Sequence, residues 1–222
     1  MKEKALFSWS GGKDSALALY EIRKNKKYEI EVLLQTVTRN YRRSSMHGVR
    51  QTLLRKQARA LGLPLDEIYI SKKSTDKEYR RVMRKTLEKY LSHGISSVVF
   101  GDVFLEDVRK YREKNLSELG MKAVFPLWQR NSARLARAFI NLGFKAIITC
   151  VDGKFLDGTF AGRRFGEQFL SEIPDGVDKG GENGEFHSFV YDGPIFREKV
   201  RFNKGETVLR EGRFYYCDLL PG

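Results

Sequence analysis

The sequence predicts an α/β fold in which a parallel sheet, covered by helices on both faces, is followed by a second, smaller C-terminal α/β lobe. Strand-like and helix-like segments alternate through the first half of the chain, and a glycine-rich turn joins the first strand to the first helix. Alternation of this kind is typical of βαβ units. Near Ala123 the segments become shorter. We therefore predict two units, residues 1–122 and residues 123–222.

The first unit is built from apolar runs separated by glycines. The predicted strands are the runs 5–9, 30–37, 68–70 and 96–100. The predicted helices begin near residue 16, at 49–61, at 76–93 and near residue 105. Gly62 and Gly94 follow two of these helices directly, and glycine is common just past a helix end.

The second unit begins where Pro126 disfavours helix at the preceding residue. A helix is predicted at 132–141, closed by Gly143, and a strand at 144–151. A further helix at 163–173 and short strands at 200–202 and 214–218 complete the prediction. The cleft between the two units is where we expect two substrates to meet.

Composition excludes several classes of protein. With 222 residues and 41% hydrophobic content, the chain can bury a substantial core. It has no run of about 18 apolar residues, and the apolar segment after residue 4 is too short for a secretion signal, so we expect a cytoplasmic protein without a membrane segment. Cys150 and Cys217 lie far apart without a C-x-x-C pair, which argues against a zinc site and a disulfide framework.

The net charge of +13 favours an anionic partner. Two interpretations stay open with about equal weight. The lysines and arginines either form a nucleic-acid patch or simply solvate helix faces such as residues 72–84.

The segment Ser10-Gly11-Gly12-Lys13-Asp14-Ser15 lies between the first strand and the first helix. Adjacent glycines let backbone N–H groups approach an anion, the helix offers its positive end, and Lys13 adds a full charge. The segment therefore predicts a phosphate cradle. A P-loop is excluded, because no glycine stands at the G-x-x-x-x-G-K-[ST] spacing.

This motif resembles the PP-loop of the N-type ATP pyrophosphatases. The resemblance implies a Rossmann-like sheet of the adenine nucleotide alpha hydrolase type and cleavage of ATP between the α and β phosphates, with magnesium. It also implies that Ser10, Gly11, Gly12, Lys13 and Ser15 bind the phosphates. Lys13 and Asp14 are the expected catalytic residues, and Asp14 is an expected metal contact.

Gly101 and Asp102 end the strand at 96–100. Ligands of open α/β sheets collect beyond the carboxyl ends of strands. If the strand order follows the resembling family, these residues lie beside the 10–15 loop, where Gly101 approaches the nucleotide and Asp102 is a catalytic residue that meets ribose or magnesium. The alternative is that Asp102 caps the helix beginning near Leu105.

Met46, His47 and Gly48 lie in the loop after the second strand, at another carboxyl edge. Judged alone, a single histidine is more often structural. The stretch is similar to the Met-His-Gly segment of one PP-loop subfamily, the diphthine-ammonia ligases. That similarity implies that all three residues contribute to nucleotide binding.

The segment 180–189 resembles a second motif of the same subfamily, G-E-x-G-E-[FY]-[HE]-[ST], and Asp192-Gly193-Pro194 follows it. Glu182 and Glu185 are expected on an exposed, sharply bent backbone, where they bind ammonium, magnesium or the trimethylammonium of diphthine. Phe186 would offer a cation–π face, and His187 would act as a base, a cap or a bystander. The alternative is a turn whose glutamates face solvent.

The resemblance covers residues 10 to about 196. It implies an ATP-dependent ligase that adenylates the diphthine carboxylate on elongation factor 2 and amidates it with ammonia. A PP-loop enzyme that modifies tRNA or a small carboxylic acid is the alternative, weakened for thiolation because neither cysteine lies in a catalytic pair. A non-catalytic ATP-binding sensor is the third hypothesis. The oligomeric state, a homodimer included, is left open.

Overall fold

The computed structural model describes residues 2–222. Eleven strands form two sheets, and six α-helices pack around them. The first sheet contains β1 (Glu3–Ser8), β2 (Tyr28–Thr38), β3 (Arg43–Ser44), β4 (Leu65–Ile70), β5 (Ser97–Val99) and β6 (Lys122–Val124). Its helices are α1 (Lys13–Asn25), α2 (Gln51–Leu61), α3 (Asp76–Leu91) and α4 (Glu106–Ser117). The rest of the chain forms α5 (Ser132–Asn141), β7 (Lys145–Asp152), β8 (Arg164–Phe165), α6 (Glu167–Glu172), β9 (Phe186–Asp192), β10 (Phe202–Arg210) and β11 (Phe214–Pro221).

The first sheet is parallel except for β3. Its path is β3-β2-β1-β5-β6, and β4 pairs with β2. The predicted neighbourhood of the first strand and the strand before Gly101 is confirmed, because Ala5 to Phe7 pair in parallel with Ser97 to Val99. The carboxyl ends of both strands therefore meet at one edge, where the 10–15 loop begins.

Side chains of β1 point alternately to the two faces of the sheet, as strand geometry requires. Ala5 and Phe7 belong to one buried cluster with Leu17 of α1 and Leu54 of α2. Leu6 belongs to the other cluster, which also holds Leu87 of α3 and Leu116 of α4. Helices therefore cover both faces, and the predicted α/β fold class is confirmed.

The second sheet is antiparallel and smaller. Its path is β10-β11-β7-β8, and β9 pairs with β7. The core formed by α5, α6 and this sheet joins the cluster that contains α1 and α2. One continuous apolar core thus connects the second sheet to one face of the first.

Local signals explain where helices begin and end. Thr75 and Glu78 form a capping box at the start of α3. Gly62 ends α2 in the left-handed region at φ 67°, as predicted from the sequence. None of the helices within residues 2–222 combines the length and apolar character needed to cross a membrane.

Two predicted elements are corrected. The helix predicted at 163–173 is confined to α6, because Arg164 and Phe165 pair with β7 and Gly166 forms the N-cap. The strand predicted at 200–202 instead begins at Phe202 and continues to Arg210. The strands β3, β6, β8 and β9 were not predicted.

Candidate functional site

The 10–15 loop carries the chain from β1 into α1. Gly12 is the N-cap of α1, and no side chain caps the helix there. Hydroxyl groups bind the loop instead: the Gly12 N–H donates to Ser10 Oγ (3.2 Å), and the Lys13 N–H donates to Ser188 Oγ (3.1 Å). Ser15 Oγ donates to the Gly12 carbonyl and lies 3.0 Å from Ser10 Oγ. A helix end whose N–H groups meet only hydroxyls is suited to an incoming anion.

Two glycines are required by close approach. A Cβ added to Gly12 would lie 2.7 Å from Cε1 of His47. A Cβ added to Gly101 would lie 2.9 Å from the backbone nitrogen of Ser15. Gly101 therefore packs its bare backbone on the start of α1, which agrees with the predicted position beside the loop.

Lys13 is a buried cation with an exposed fraction of 5%. Its Nζ lies 2.7 and 2.6 Å from the two carboxylate oxygens of Asp14 and 5.7 Å from the ring centroid of Phe186. A buried charge needs such partners, because desolvation would otherwise be costly. The charge of Lys13 therefore lies beside the loop, where it is paired with the partly exposed carboxylate of Asp14.

His47 reaches the loop from the segment between β3 and α2. Its Nδ1 lies 3.0 Å from the carbonyl oxygen of Ser188, so Nδ1–H donates this hydrogen bond and the ring's Nε2 is free to accept. Burial lowers the pKa of His47 below its ordinary value. The ring is therefore neutral near pH 7.

His187 packs against His47, with ring centroids 4.7 Å apart and the ring planes tilted by 37°. Burial, followed by the nearby charges of His47 and Lys13, lowers the pKa of His187 to about 3. Two neutral imidazoles thus lie beside Lys13. The structure thus brings the segment 180–189 into contact with the Met-His-Gly segment.

The other two members of the Met-His-Gly segment lie farther from the loop. Met46 is 63% exposed. Gly48 packs against the ring of Tyr216, where a Cβ would come within 2.7 Å of an aromatic carbon. Of the three residues, His47 is the one that the structure places against Gly12.

Asp102 forms an ion pair with Arg112, whose Nε lies 2.8 Å from Oδ2. The Arg112 guanidinium also stacks on Phe100 at 4.3 Å. Asp102 does not cap α4, because Leu105 is the N-cap and no side chain caps that helix. The expected contact of Asp102 with a metal stays a prediction, and Arg112 is the partner of the carboxylate in this structure.

The segment 178–185 reaches the end of β5. Glu182 Oε1 accepts a hydrogen bond of 2.8 Å from the Val103 N–H, and the Glu182 N–H donates to Asp178. Burial, with the charge of Asp14 second, raises the pKa of Glu182 to about 7. Glu182 is therefore close enough to the 10–15 loop for the charge of Asp14 to raise its pKa.

Glu185 and Phe186 differ from the expected exposed turn. Both are 2% exposed. Glu185 Oε1 accepts from the Asp178 N–H and from Asn183 Nδ2, and so holds the loop together. The Phe186 ring is enclosed by Phe165 and Phe169, and Lys13 lies over it. The expectation of an exposed turn is therefore wrong for these two residues, and their contact with a ligand stays a prediction.

A resident metal site is not built from side chains alone. Within residues 2–222, no group of three or more His, Cys, Asp or Glu side chains is arranged to hold a metal ion. Magnesium that accompanies a nucleotide needs only one or two carboxylates besides phosphate oxygens. Asp14 fits that requirement, because its side chain is 32% exposed beside the loop.

Two protein-family models match successive parts of the chain. The model described as "Diphthamide synthase N-terminal domain" matches residues 1–123, and the model described as "Diphthamide synthase C-terminal domain" matches residues 131–218. The chain belongs to the diphthamide synthase family.

Curated relatives of this diphthamide synthase family member carry the name diphthine–ammonia ligase. The protein of Rattus norvegicus is 29% identical over 164 residues, and that of Homo sapiens is 28% identical over the same length; each alignment covers 71% of this chain and 60% of the relative. The protein of Danio rerio is 30% identical over 168 residues, covering 68% and 66%. The chain thus spans about 60% of the length of the mammalian relatives.

A solved structure, the U34-tRNA thiolase NcsA from Methanococcus maripaludis with its 4Fe-4S cluster, has a TM-score of 0.41 and 14% sequence identity. The match covers 64% of this chain and 58% of that chain. A likeness of this size supports no conclusion about the activity of the family member described here.

Gln57 is a site residue that sequence reasoning missed in this diphthamide synthase family member. It is 0% exposed. Its Oε1 accepts from Trp9 Nε1 at 3.0 Å, and its Nε2 donates to the carbonyls of Gly11 (3.0 Å) and Val190 (2.6 Å). One amide thus joins α2, the 10–15 loop and β9. The only sequence signal was a polar residue on the apolar face of a helix.

Asp218 is the second missed residue. Its carboxylate binds Arg43 (2.7 Å) and Arg50 (3.0 and 2.6 Å), which flank the segment that carries His47. Burial acts to raise its pKa, but the hydrogen bonds from Arg50 and Arg43 hold that pKa well below the usual value. The last strand of the second sheet therefore fixes both ends of the His47 segment.

Proposed function

We propose that the protein is an ATP-dependent amide ligase that activates a carboxylate of diphthine as its acyl-adenylate, releases pyrophosphate and amidates the carbonyl with ammonia. Family membership supports the reaction class. The observation that carries the proposal is the phosphate cradle at residues 10–15, where an uncapped helix end meets the buried cation of Lys13. The acceptor is diphthine on elongation factor 2.

The cradle would act by electrostatics. Ser10, Gly11, Gly12 and Ser15 bind the β and γ phosphates, and Lys13 exchanges its contact with Asp14 for the departing pyrophosphate. Magnesium, when bound with ATP, neutralises phosphate charge, and Asp14 is the residue that holds it. Because Arg112 engages Asp102, we assign Asp102 to anchoring α4 beside the cradle.

The acceptor carboxylate oxygen attacks the α-phosphorus, and the bond to the pyrophosphate oxygen breaks. Ammonia then attacks the acyl carbon, and AMP departs with the electrons of the carbon–oxygen bond. His47, with Nδ1–H bound to the Ser188 carbonyl, presents Nε2 as an acceptor, and neutral His187 packs against it. Glu182 is the carboxylate we assign to the cationic part of the acceptor.

Each of the two predicted units is assigned one substrate. We propose that residues 1–122 bind ATP and residues 123–222 supply the acceptor side of the cleft. Support comes from Glu182 and His187, which belong to the second unit and approach Asp14 and His47 of the first.

Sulfur transfer to tRNA is disfavoured by the cysteines. Burial raises the pKa of the Cys150 thiol to about 12, and Cys217 is also buried. Neither provides the accessible thiolate that carries sulfur.

The test is product analysis of α-phosphate-labelled ATP with magnesium, ammonium and diphthine-bearing elongation factor 2. We expect acceptor-dependent AMP that falls by a factor of about 10² to 10³ in Lys13→Ala, the loss typical of a removed electrostatic contact. Lys85→Ala, an exposed lysine of α3, is the matched control and should retain activity.

Each alternative outcome is distinct. ADP in place of AMP would contradict cleavage between the α and β phosphates. Tight ATP binding without turnover, with every acceptor offered, would support the sensor hypothesis. AMP formed with tRNA or a small carboxylic acid, and not with elongation factor 2, would show that the acceptor is that tRNA or acid.

A further inference from the structure

An open pocket of about 570 Å³ lies on the second sheet, outside the site described above. Strands β7, β8, β9 and β10 all contribute to it. Its lining consists of Ile147, Gly162, Arg164, Tyr191, Lys199, Arg201, Phe202, Asn203, Lys204 and Gly222. Ligand sites commonly have volumes of about 300 to 1,000 Å³.

The pocket is cationic. Four lining side chains carry positive charge, namely Arg164, Lys199, Arg201 and Lys204, and no Asp or Glu is among the lining residues. Within residues 2–222, none of the four forms an ion pair with an Asp or Glu side chain. Their charges are therefore available to a ligand.

Nearby carboxylates are already engaged elsewhere. Asp192 binds Lys145 at 2.8 Å, and Glu172 binds Arg163. The carbonyl oxygen of Gly222 accepts a hydrogen bond from Lys56 at 2.5 Å. These contacts leave the four cations without an Asp or Glu partner, and several positive charges around one pocket favour the binding of an anion.

The floor of the pocket is built to hold the cations. Gly162 adopts φ +80°, and a Cβ there would lie 3.0 Å from Cδ of Lys204, so its bare backbone admits the lysine stem. The Lys199 ammonium lies 5.4 Å from the ring centroid of Tyr191, and that ring contacts Phe202 edge to face. Stems held in this way lose less conformational entropy when a ligand binds.

We propose that this pocket binds phosphate groups of an anionic ligand. Two guanidinium groups offer planar donor pairs that match phosphate oxygens, and two ammonium groups add point charges. Two sources have this chemistry, a free phosphorylated compound and the phosphodiester backbone of a nucleic acid.

The pocket is separate from the 10–15 loop. Ser188 of β9 turns its hydroxyl to Lys13, whereas the next residue, Phe189, and Tyr191 both pack on Phe202 on the other side of the sheet. The proposal therefore does not depend on the ligase function, and the two can fail independently.

The experiment measures binding of inorganic tripolyphosphate by calorimetry and of a labelled single-stranded RNA by fluorescence anisotropy, at one fixed ionic strength. All measurements use the Lys13→Ala background, so that the loop contributes little. The test variant is Arg164→Gln with Arg201→Gln. The control is Arg81→Gln with Lys85→Gln, which removes the same charge from exposed positions of α3.

We expect the pocket variant to weaken binding at least tenfold and the control to weaken it less than twofold, with both variants retaining the circular dichroism spectrum of the parent. Binding of tripolyphosphate alone would identify a free phosphorylated compound as the source, and competitive binding of RNA would identify a nucleic acid. Equal weakening in both variants, or no binding of either probe, would overturn the proposal.

Discussion

The imidazole rings of His47 and His187 lie with centroids 4.7 Å apart and are tilted by 37°, although His47 lies in the segment between β3 and α2 and His187 lies in β9 of the second sheet. Both rings have lowered pKa values, and that of His187 is about 3. An uncharged pair suits this position, because Lys13 lies close enough to lower the pKa of each ring.

The first prediction concerns acid stability. Between pH 6.5 and about 3 the unfolded chain binds a proton at His187 that the folded protein does not, so the free energy of unfolding falls as pH decreases. The expected slope from one such group is about 1.4 kcal/mol per pH unit. We expect urea unfolding of His187→Gln to show a smaller dependence of the unfolding free energy on pH between about pH 6.5 and 4.5. The difference should correspond to one proton fewer bound on unfolding. An unchanged slope would contradict the buried neutral state.

The second prediction concerns Gly101→Ala. The new Cβ would lie 2.9 Å from the Ser15 backbone nitrogen, so β5 and α1 must separate. We expect a loss of about 1 to 3 kcal/mol in the free energy of unfolding, as for overpacked cores, and weaker ATP binding. Gly166→Ala is the control, because a Cβ added to Gly166 would meet no atom within 4 Å. Similar ATP affinity in both variants would disprove the close approach.

The third prediction concerns Gln57→Leu. The change leaves the Trp9 N–H and the carbonyls of Gly11 and Val190 without their partner. Each buried orphan costs about 1 to 3 kcal/mol, so we expect destabilisation of about 3 kcal/mol or more. Thermal unfolding measures this, with exposed Gln168→Leu as the control. A variant as stable as that control would show that water replaces the amide.

The fourth prediction concerns Asp218→Asn. Loss of the ion pairs with Arg43 and Arg50 frees the segment that holds His47. We expect ATP to bind roughly fivefold more weakly, equivalent to about 1 kcal/mol. Calorimetric titration with ATP measures the change, and Asp175→Asn, which is exposed, should bind ATP as the parent does. Unaltered affinity in Asp218→Asn would show that the His47 segment needs no such anchor.

Local chemistry made much of the fold predictable. Helix α5 has the predicted bounds, Ser132–Asn141, because its apolar spacing is regular and Gly143 follows it. The strands β1 and β5 were predicted as neighbours from the resemblance, and the pairing of Leu6 with Val98 agrees. Short-range signals and a recurrent strand order therefore account for the first sheet.

The second sheet was harder to predict, because its strands depend on partners distant in sequence. Strand β9 follows a glycine-rich turn, and only its pairing with β7 determines where it begins. The helix predicted at 163–173 was shortened by tertiary pairing of Arg164 with Ile147, which outweighs local helix preference.

At the site, the sequence pointed to the 10–15 loop and to His47, but it did not predict the burial of Glu185 and Phe186 beside them. Glu185 and Phe186 lie in a motif that looks like a solvated turn, yet both are buried. Phe186 begins β9 beneath Lys13, and Glu185 turns inward to accept hydrogen bonds from Asp178 and Asn183. Gln57 and Asp218 act through contacts more than a hundred residues away, to Val190 and to Arg43 and Arg50, and no local pattern encodes such pairs.

Strand β9 donates the Val190 N–H to the Gly11 carbonyl and accepts the Lys13 N–H at Ser188. A hinge motion that separated the two sheets at this edge would break these bonds and dismantle the phosphate cradle. We therefore expect substrates to enter and leave without separation of the two sheets at this edge.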